Sequence, residues 1–332
     1  MKKLIIFSLL LGISFISNIS YAKVNSEDKI LLEKAKSYFS PLPNRVTDSK
    51  ENKTSLDKIN LGKALFFEKK LSLNNSMSCN TCHNLKTYGV DNQETSLGVK
   101  GKRGGRNSPT VYNAGLHLSQ FWDGRAKDLE AQAGGPILNP VEMAMPDEKT
   151  VLKRLEDDSK YKNMFKKAFP NEKQPISYLN LSKSIADFEK TLVTPSKFDK
   201  FLKGNIASLN KDEKKGLRTF MEKGCITCHN GVAVGGQMYQ KFGLVKPYKN
   251  AKDLGRFDLT KNEADKFVFK VPSLRNIAKT APYFHDGKVK TLSEAVTTMG
   301  ETQLGIKLSK EENKAIVDFL NSLTGEIKKE FK

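Results

Sequence analysis

The sequence predicts a mostly helical protein built by duplication. Two pentapeptides, "CNTCH" at residues 79–83 and "CITCH" at 225–229, use all four cysteines of the chain. Each follows a stretch whose apolar residues recur at helical spacing. Downstream, "PTVYN" from Pro109 and "FWDGR" from Phe121 match "PSLRN" from Pro272 and "FHDGK" from Phe284 at one constant offset, which Leu129 against Leu292 keeps.

Taken in order, the opening "MKKLIIFSLLLGISFISNISYA" has a basic start at Lys2 and Lys3 and an apolar core from Leu4 to Ile16. Small residues at Ser20 and Ala22 suit signal peptidase. That core is shorter than the roughly 20 residues a membrane span needs. A cleaved signal peptide over residues 1–22 is therefore expected. No later stretch is long and apolar enough to predict a transmembrane span.

In "LGKALFFEKKLS", Leu61, Ala64, Leu65 and Glu68 fall at helical spacing. "NKDEKKGLRTFMEKG" opens on Asn210 as an N-cap, with Glu213 completing a capping box and Leu217, Phe220 and Met221 as its apolar stripe. The halves meet near "TLVTPSKFDK", residues 191–200. A last helix begins at Ser309, with Glu312 completing a second box; it buries Ile316, Val317, Phe319 and Leu320 and stops at Gly325.

The exported chain, about 310 residues, exceeds most single cores, so two domains are expected, over residues 23–195 and 196–332. Residues 23–44 are left free to pack on the other domain. A composition of 38% hydrophobic and 28% charged residues is that of a globular protein. The net charge of +19, two fewer once Lys2 and Lys3 leave, attracts acidic partners. The lysines are scattered and the chain is exported, so no nucleic-acid partner is expected. A solvated lysine-rich surface is the first reading, and steering of an acidic redox partner is the alternative.

Four cysteines in an oxidising compartment could form two disulfides, and a Cys-x-x-Cys pair could be a thiol redox centre or half a zinc site. Here each pair is followed at once by histidine, and the pairs lie too far apart for a zinc ribbon. That is the attachment pattern of c-type haem: Cys79 and Cys82, and Cys225 and Cys228, would each form two thioethers. His83 and His229 would be the proximal iron ligands. Two covalently bound haems c are therefore expected, and they are not equivalent. Met299, in "TTMGETQLG", is a plausible sulfur ligand opposite His229, whereas its counterpart in the first repeat is Pro136, which cannot ligate. A haem ligated by His and Met suits electron transfer; one with a free face binds small molecules such as peroxide.

At this point the residues resemble the bacterial di-haem cytochrome c peroxidases, a family related to the MauG enzymes. The resemblance spans nearly all of the exported chain. It rests on "SCNTCHN", "RNSPTVYNAGLHLSQFWDGRAKDLEAQAGGP", "VEM", "GCITCHNG", "FGLVK", "APYFHDGKV" and "MGETQLG". It implies two tandem type-I cytochrome c domains, each with one covalently attached c-type haem, with a calcium ion between them. The C-terminal haem, on His229 and Met299, would take electrons from a small cytochrome c or a copper protein. The N-terminal haem, on His83, would reduce hydrogen peroxide to water. A periplasmic location is implied, and a homodimer is among the assemblies the family forms. Trp122 matches the family's aromatic residue between the haems, and Gln132 and Glu142 match the peroxide pocket. Asn107, Thr280 and Pro282 match the calcium site, the last two through backbone carbonyls, as a hard cation prefers. His285 matches a histidine near the second haem that is a hydrogen-bonding or electron-path residue rather than a ligand. MauG enzymes carry tyrosine where this chain has Met299, which favours the peroxidase branch over an oxidase acting on another protein.

One position departs from the family. Most members carry a loop histidine that caps the oxidised peroxidatic haem. In "LGVKGKRGG" that place falls on Val99, followed by Lys100. Valine cannot ligate iron. Three outcomes follow: an open first haem; a substitute ligand from Lys100, His117 or Met143; or a di-haem electron carrier or redox sensor with little peroxidase activity. Gly98, Gly101, Gly104 and Gly105 favour a mobile loop.

Overall fold

The computed structural model describes residues 26–47 and 52–331, so the signal peptide lies outside the described residues. Among these, no helix is long and apolar enough to cross a membrane. The protein is mostly helical with little sheet: strands Tyr239–Lys241 and Val268–Lys270 pair antiparallel, with Tyr239 opposite Lys270.

Helix Leu56–Phe66 starts on Ser55, whose hydroxyl accepts from the Lys58 amide, and it buries Leu61, Leu65 and Phe66. It ends before Glu68. That carboxylate instead accepts from the Lys70 amide at 2.8 Å, capping the next turn, and from the Tyr161 hydroxyl at 2.6 Å. Helix Lys211–Glu222 carries the reciprocal bonds of its box, 2.9 Å each way between Asn210 and Glu213. Helix Lys310–Ser322 does the same through Ser309 and Glu312 and buries Ile316, Phe319 and Leu320, with Val317 only partly covered. It stops short of Gly325 because the chain there turns to bridge Ser196 and bonds its amide to Asn276 Oδ1 at 2.9 Å.

Duplication is visible in the packing. Leu56–Phe66 lies on helix Tyr178–Glu189, and Lys211–Glu222 lies on Lys310–Ser322. Both contacts pass through a glycine: a Cβ on Gly62 would sit 1.8 Å from Ser184 O, and one on Gly216 1.9 Å from Ala315 O. The helix backbones touch, with no room for a methyl group between them. Each pair anchors its own hydrophobic cluster, one around Phe66, Phe165 and Phe188, the other around Phe198, Phe220 and Phe319. The chain ends cross over. Leu31, Leu32, Ala35 and Phe39, on or just after the helix over residues 26–36, join the second cluster, while Ile327 and Phe331 join the first.

The loops repeat as well. Asn113 and Asn276 both take φ of 62°, and each opens a short 3-10 turn, Ala114–Leu116 and Ile277–Lys279. Both asparagine side chains donate to Thr194 Oγ1, at 2.9 and 2.8 Å. One hydroxyl oxygen, fully buried in the 191–200 stretch, thus holds the two repeats together. The halves diverge at one element. Leu292–Met299 is unbroken, but its counterpart splits into Leu129–Ala133 and Gly135–Leu138. Pro136 stands at the place of Met299, and its missing N–H and rigid ring interrupt a helix there.

Candidate haem-binding sites

Cys79–Cys82 form a single helical turn, capped reciprocally by Ser78 and Thr81 and closed by His83 N on Cys79 O at 2.9 Å. None of the four cysteines is paired in a disulfide. Burial pushes Cys79 far up, with Glu189 adding to it, and pushes Cys82 to about 11 and Cys225 to about 11. Burial also drives the histidines the other way. His83 lies below its ordinary value despite the carbonyls of Gly89 and Pro109. His229 is pushed down to about 4 despite those of Val234 and Pro272. Both rings are therefore neutral at neutral pH, the form that ligates a metal. His83 Nδ1 lies 3.4 Å from Ser108 Oγ, while His229 Nδ1 makes no hydrogen bond of good geometry.

Glu142 faces the first pair, since its charge acts on both Cys79 and Cys82. Asn139 Nδ2 donates to its Oε1 at 2.8 Å. Burial pushes its carboxyl above the ordinary value, opposed first by Arg125 and then by Asn139. Gln132 stands half-buried on Leu129–Ala133, with no hydrogen bond from its side chain among the described residues.

Two neighbours escaped the sequence reading. Arg125 places its guanidinium 3.4 Å from the Phe121 ring centroid and pairs with Asp123 at 3.0 Å. A cation at the same place in "FWDGR" and "FHDGK" was the signal that could have found it. Glu189 gave no such signal; only tertiary packing buries it. Burial raises its carboxyl from 4.5 to about 8. The unfolded chain therefore loses this proton at lower pH than the folded one, and unfolding free energy falls as pH rises between those values. Glu189→Gln is expected to flatten that decline in guanidinium unfolding between pH 4.5 and pH 8. An unchanged slope would refute the assignment.

The loop read as mobile is a hairpin docked beside Glu142. Leu97 bridges Arg103, and Gly98 N bonds to Lys102 O at 2.8 Å. Val99 N donates to Glu142 O at 2.8 Å. Gly98 is buried because its backbone runs against Val141, where a Cβ would come within 1.9 Å of the carbonyl oxygen. Its lack of a side chain permits that close approach. Of the substitute ligands considered, Lys100 is exposed and Met143 is buried in the first cluster. His117 belongs elsewhere.

A large cavity receives the second pair. It is lined by Cys225, Cys228, His229 and Met299, so the structure brings the second motif and the candidate sulfur ligand together. His117, Trp122 and His285 line it too. The expectation that His117 could serve the first haem is thus corrected: its short 3-10 turn carries it to the second site. Among the described residues, four buried side-chain atoms have no partner, and three are imidazole nitrogens around this cavity: His117 Nε2, His229 Nδ1 and His285 Nε2. His117 Nε2 and His285 Nε2, unpaired beside an apolar hollow, fit a site shaped for a large group with polar atoms of its own.

Trp122 Nε1 donates to Asn107 O at 2.9 Å, and its ring meets His285 edge-on at 6.3 Å. His285 stacks on Phe269 at 4.2 Å. Asn107, Thr280 and Pro282 all line the same cavity. Asn107 Nδ2 donates to Gln93 O at 2.9 Å, which turns its Oδ1 into a neutral oxygen donor.

A family profile described as di-haem cytochrome c peroxidase matches residues 56–207. The chain is 46% identical over 312 residues to the cytochrome c551 peroxidase of Pseudomonas aeruginosa, covering 92% of this chain and 90% of that one. It is 51% identical over 272 residues to the cytochrome c551 peroxidase of Nitrosomonas europaea, covering 81% and 80%. The crystal structure of a MauG-like protein associated with microbial copper homeostasis superposes with a TM-score of 0.79 at 29% identity, covering 86% and 94%.

Proposed function

Because the chain belongs to the di-haem cytochrome c peroxidase family, we propose that it is a periplasmic enzyme reducing hydrogen peroxide to water with electrons from a small cytochrome c or copper protein, and that its peroxidatic haem is open at rest. The observation that carries this is the asymmetry of the repeats. Met299 ends an unbroken helix in a cavity shared with His229, whereas Pro136 breaks the matching helix beside Glu142. Residues 23–195 would house the peroxidatic haem and residues 196–332 the electron-transfer haem.

Haem attached at each Cys pair would supply an iron that binds peroxide at one site and passes single electrons at the other. The chain's own residues supply the rest. Neutral His83 and His229 would offer nitrogen ligands, and Met299 would offer sulfur at the second site. Glu142, whose carboxyl is raised by burial and opposed by Arg125, would be the group that passes a proton to the leaving oxygen. Gln132 would orient the peroxide. Trp122, fixed by its bond to Asn107, offers an aromatic path between the sites. Asn107 Oδ1 and the carbonyls of Thr280 and Pro282 would hold calcium, which prefers oxygen donors.

The test is the EPR spectrum of the oxidised, haem-loaded protein, followed by peroxide turnover with a reduced small cytochrome. One high-spin and one low-spin ferric haem are expected. Val99→His, starting one backbone hydrogen bond from Glu142, is expected to convert the high-spin signal to low-spin and to make turnover depend on prior reduction. Two low-spin haems in the unaltered protein would overturn the open site. Absence of turnover would favour a di-haem electron carrier.

A further inference from the structure

Two polar groups in the second cavity take no part in this chemistry. Lys270 ends strand Val268–Lys270, with its N–H on Trp122 O at 2.8 Å, and is 6% exposed. Its ammonium has no ion pair or hydrogen bond among the described residues, and burial alone lowers it to about 8. His117 presents a buried Nε2 without a partner. Its ring lies over Gly236, where a Cβ would come within 2.5 Å, and Leu118 N bonds to Gly236 O at 2.9 Å. Burial, and after it the charge of Lys270, pushes His117 well below its ordinary value, so the two groups are near one another with no carboxylate to balance them.

An ammonium on a residue this buried, with no anion beside it, becomes unfavourable once the cavity it lines is filled. The polypeptide offers no remedy here. The other cationic side chain lining the cavity, Arg275, is already held by Asp199 at 2.9 Å and by Val232 O. The missing anion must therefore come from what fills the cavity. A c-type haem brings two carboxylates, its propionates, on one edge of an otherwise apolar ring.

We propose that Lys270 and His117 anchor the propionates of the haem attached at Cys225 and Cys228, and that the charge of Lys270 holds the reduction potential of that haem up. The inference rests on the di-haem reading above. A cation beside the ring favours the reduced state, which carries one positive charge fewer, and offsets a carboxylate that favours the oxidised one. Placed next to Trp122, Lys270 acts where electrons would leave for the first site. It is a positioning residue, and its readout is a potential.

The experiment is a potentiometric titration of the holoprotein followed through the absorbance of the reduced haems, with haem content measured first. Fewer than two haems per chain would sink the di-haem reading itself. With two in place, Lys270→Met is expected to shift the reduced-to-oxidised equilibrium of the high-potential haem about tenfold toward oxidised, ~59 mV for one electron. Lys270→Arg restores it, and the low-potential haem moves less. His117→Leu gives a smaller drop. Lys270→Gln, close in size and polar, serves if the methionine variant does not mature. The propionate-bending Raman band of the unaltered protein reads the same contact without any variant. An unmoved high-potential midpoint in the neutral variants, or a band at the frequency of free propionates, would overturn the proposal.

Discussion

Replacing Glu142 by glutamine is expected to lower peroxide turnover by about 10²–10⁴-fold, the range a positioned acid–base group contributes. The change is close to isosteric, and the surroundings explain why geometry should survive it. Asn139 Nδ2 donates to Oε1, a bond that the amide oxygen of glutamine can still accept. The docked loop is held by the backbone carbonyl of Glu142, through Val99 N at 2.8 Å, and not by its side chain. What glutamine removes is the capacity to take up and release a proton. Haem content and the oxidised EPR spectrum should therefore match the unaltered protein while turnover collapses. A loss of less than about tenfold would place proton delivery elsewhere.

Asp199→Ala is expected to destabilise the fold by about 3–5 kcal/mol, the cost of leaving a buried charge without its partner. The Arg275 side chain is fully buried and that of Asp199 nearly so, 2.9 Å apart. Asp199 Oδ2 also accepts from Ser196 N at 2.7 Å and Oγ at 2.9 Å, and Oδ1 accepts from Leu42 N at 2.7 Å. One carboxylate thus caps a helix, neutralises a guanidinium and ties the N-terminal segment to the second cluster. Exposed ion pairs contribute about 0–1 kcal/mol, so guanidinium unfolding followed by far-UV circular dichroism separates the two cases. A change within that smaller range would mean that the Val232 and Ser40 carbonyls satisfy Arg275 alone.

Much of this protein was legible because its decisive patterns are local. A haem attachment site spans five residues, and a capping box joins positions three apart. Asn210 with Glu213 and Ser309 with Glu312 therefore cap their helices where the pattern placed them. Duplication was legible because paired segments keep their spacing, and the paired φ values of Asn113 and Asn276 follow it. Where a local pattern met a distant contact, the contact decided. Glu68 continues the helical spacing of Leu61 and Leu65, yet its carboxylate caps the next turn and accepts from Tyr161. Gly98 reads as a mobile residue, yet its lack of a side chain admits Val141.

By itself, then, the sequence determined the helical class and the duplication, and it carried the two Cys-x-x-Cys-His patterns and the valine at position 99 on which the proposed haem chemistry rests. Tertiary structure alone decided which cavity each remaining polar side chain serves. His117 is closer in sequence to the first pair, but it turns to the second site because Gly236 leaves space for its ring. Lys270 reads as one more surface lysine in a chain of net charge +19, yet a short strand pairing carries it into the interior. Burial is a property of what packs against a residue from afar, and spacing along the chain does not encode it.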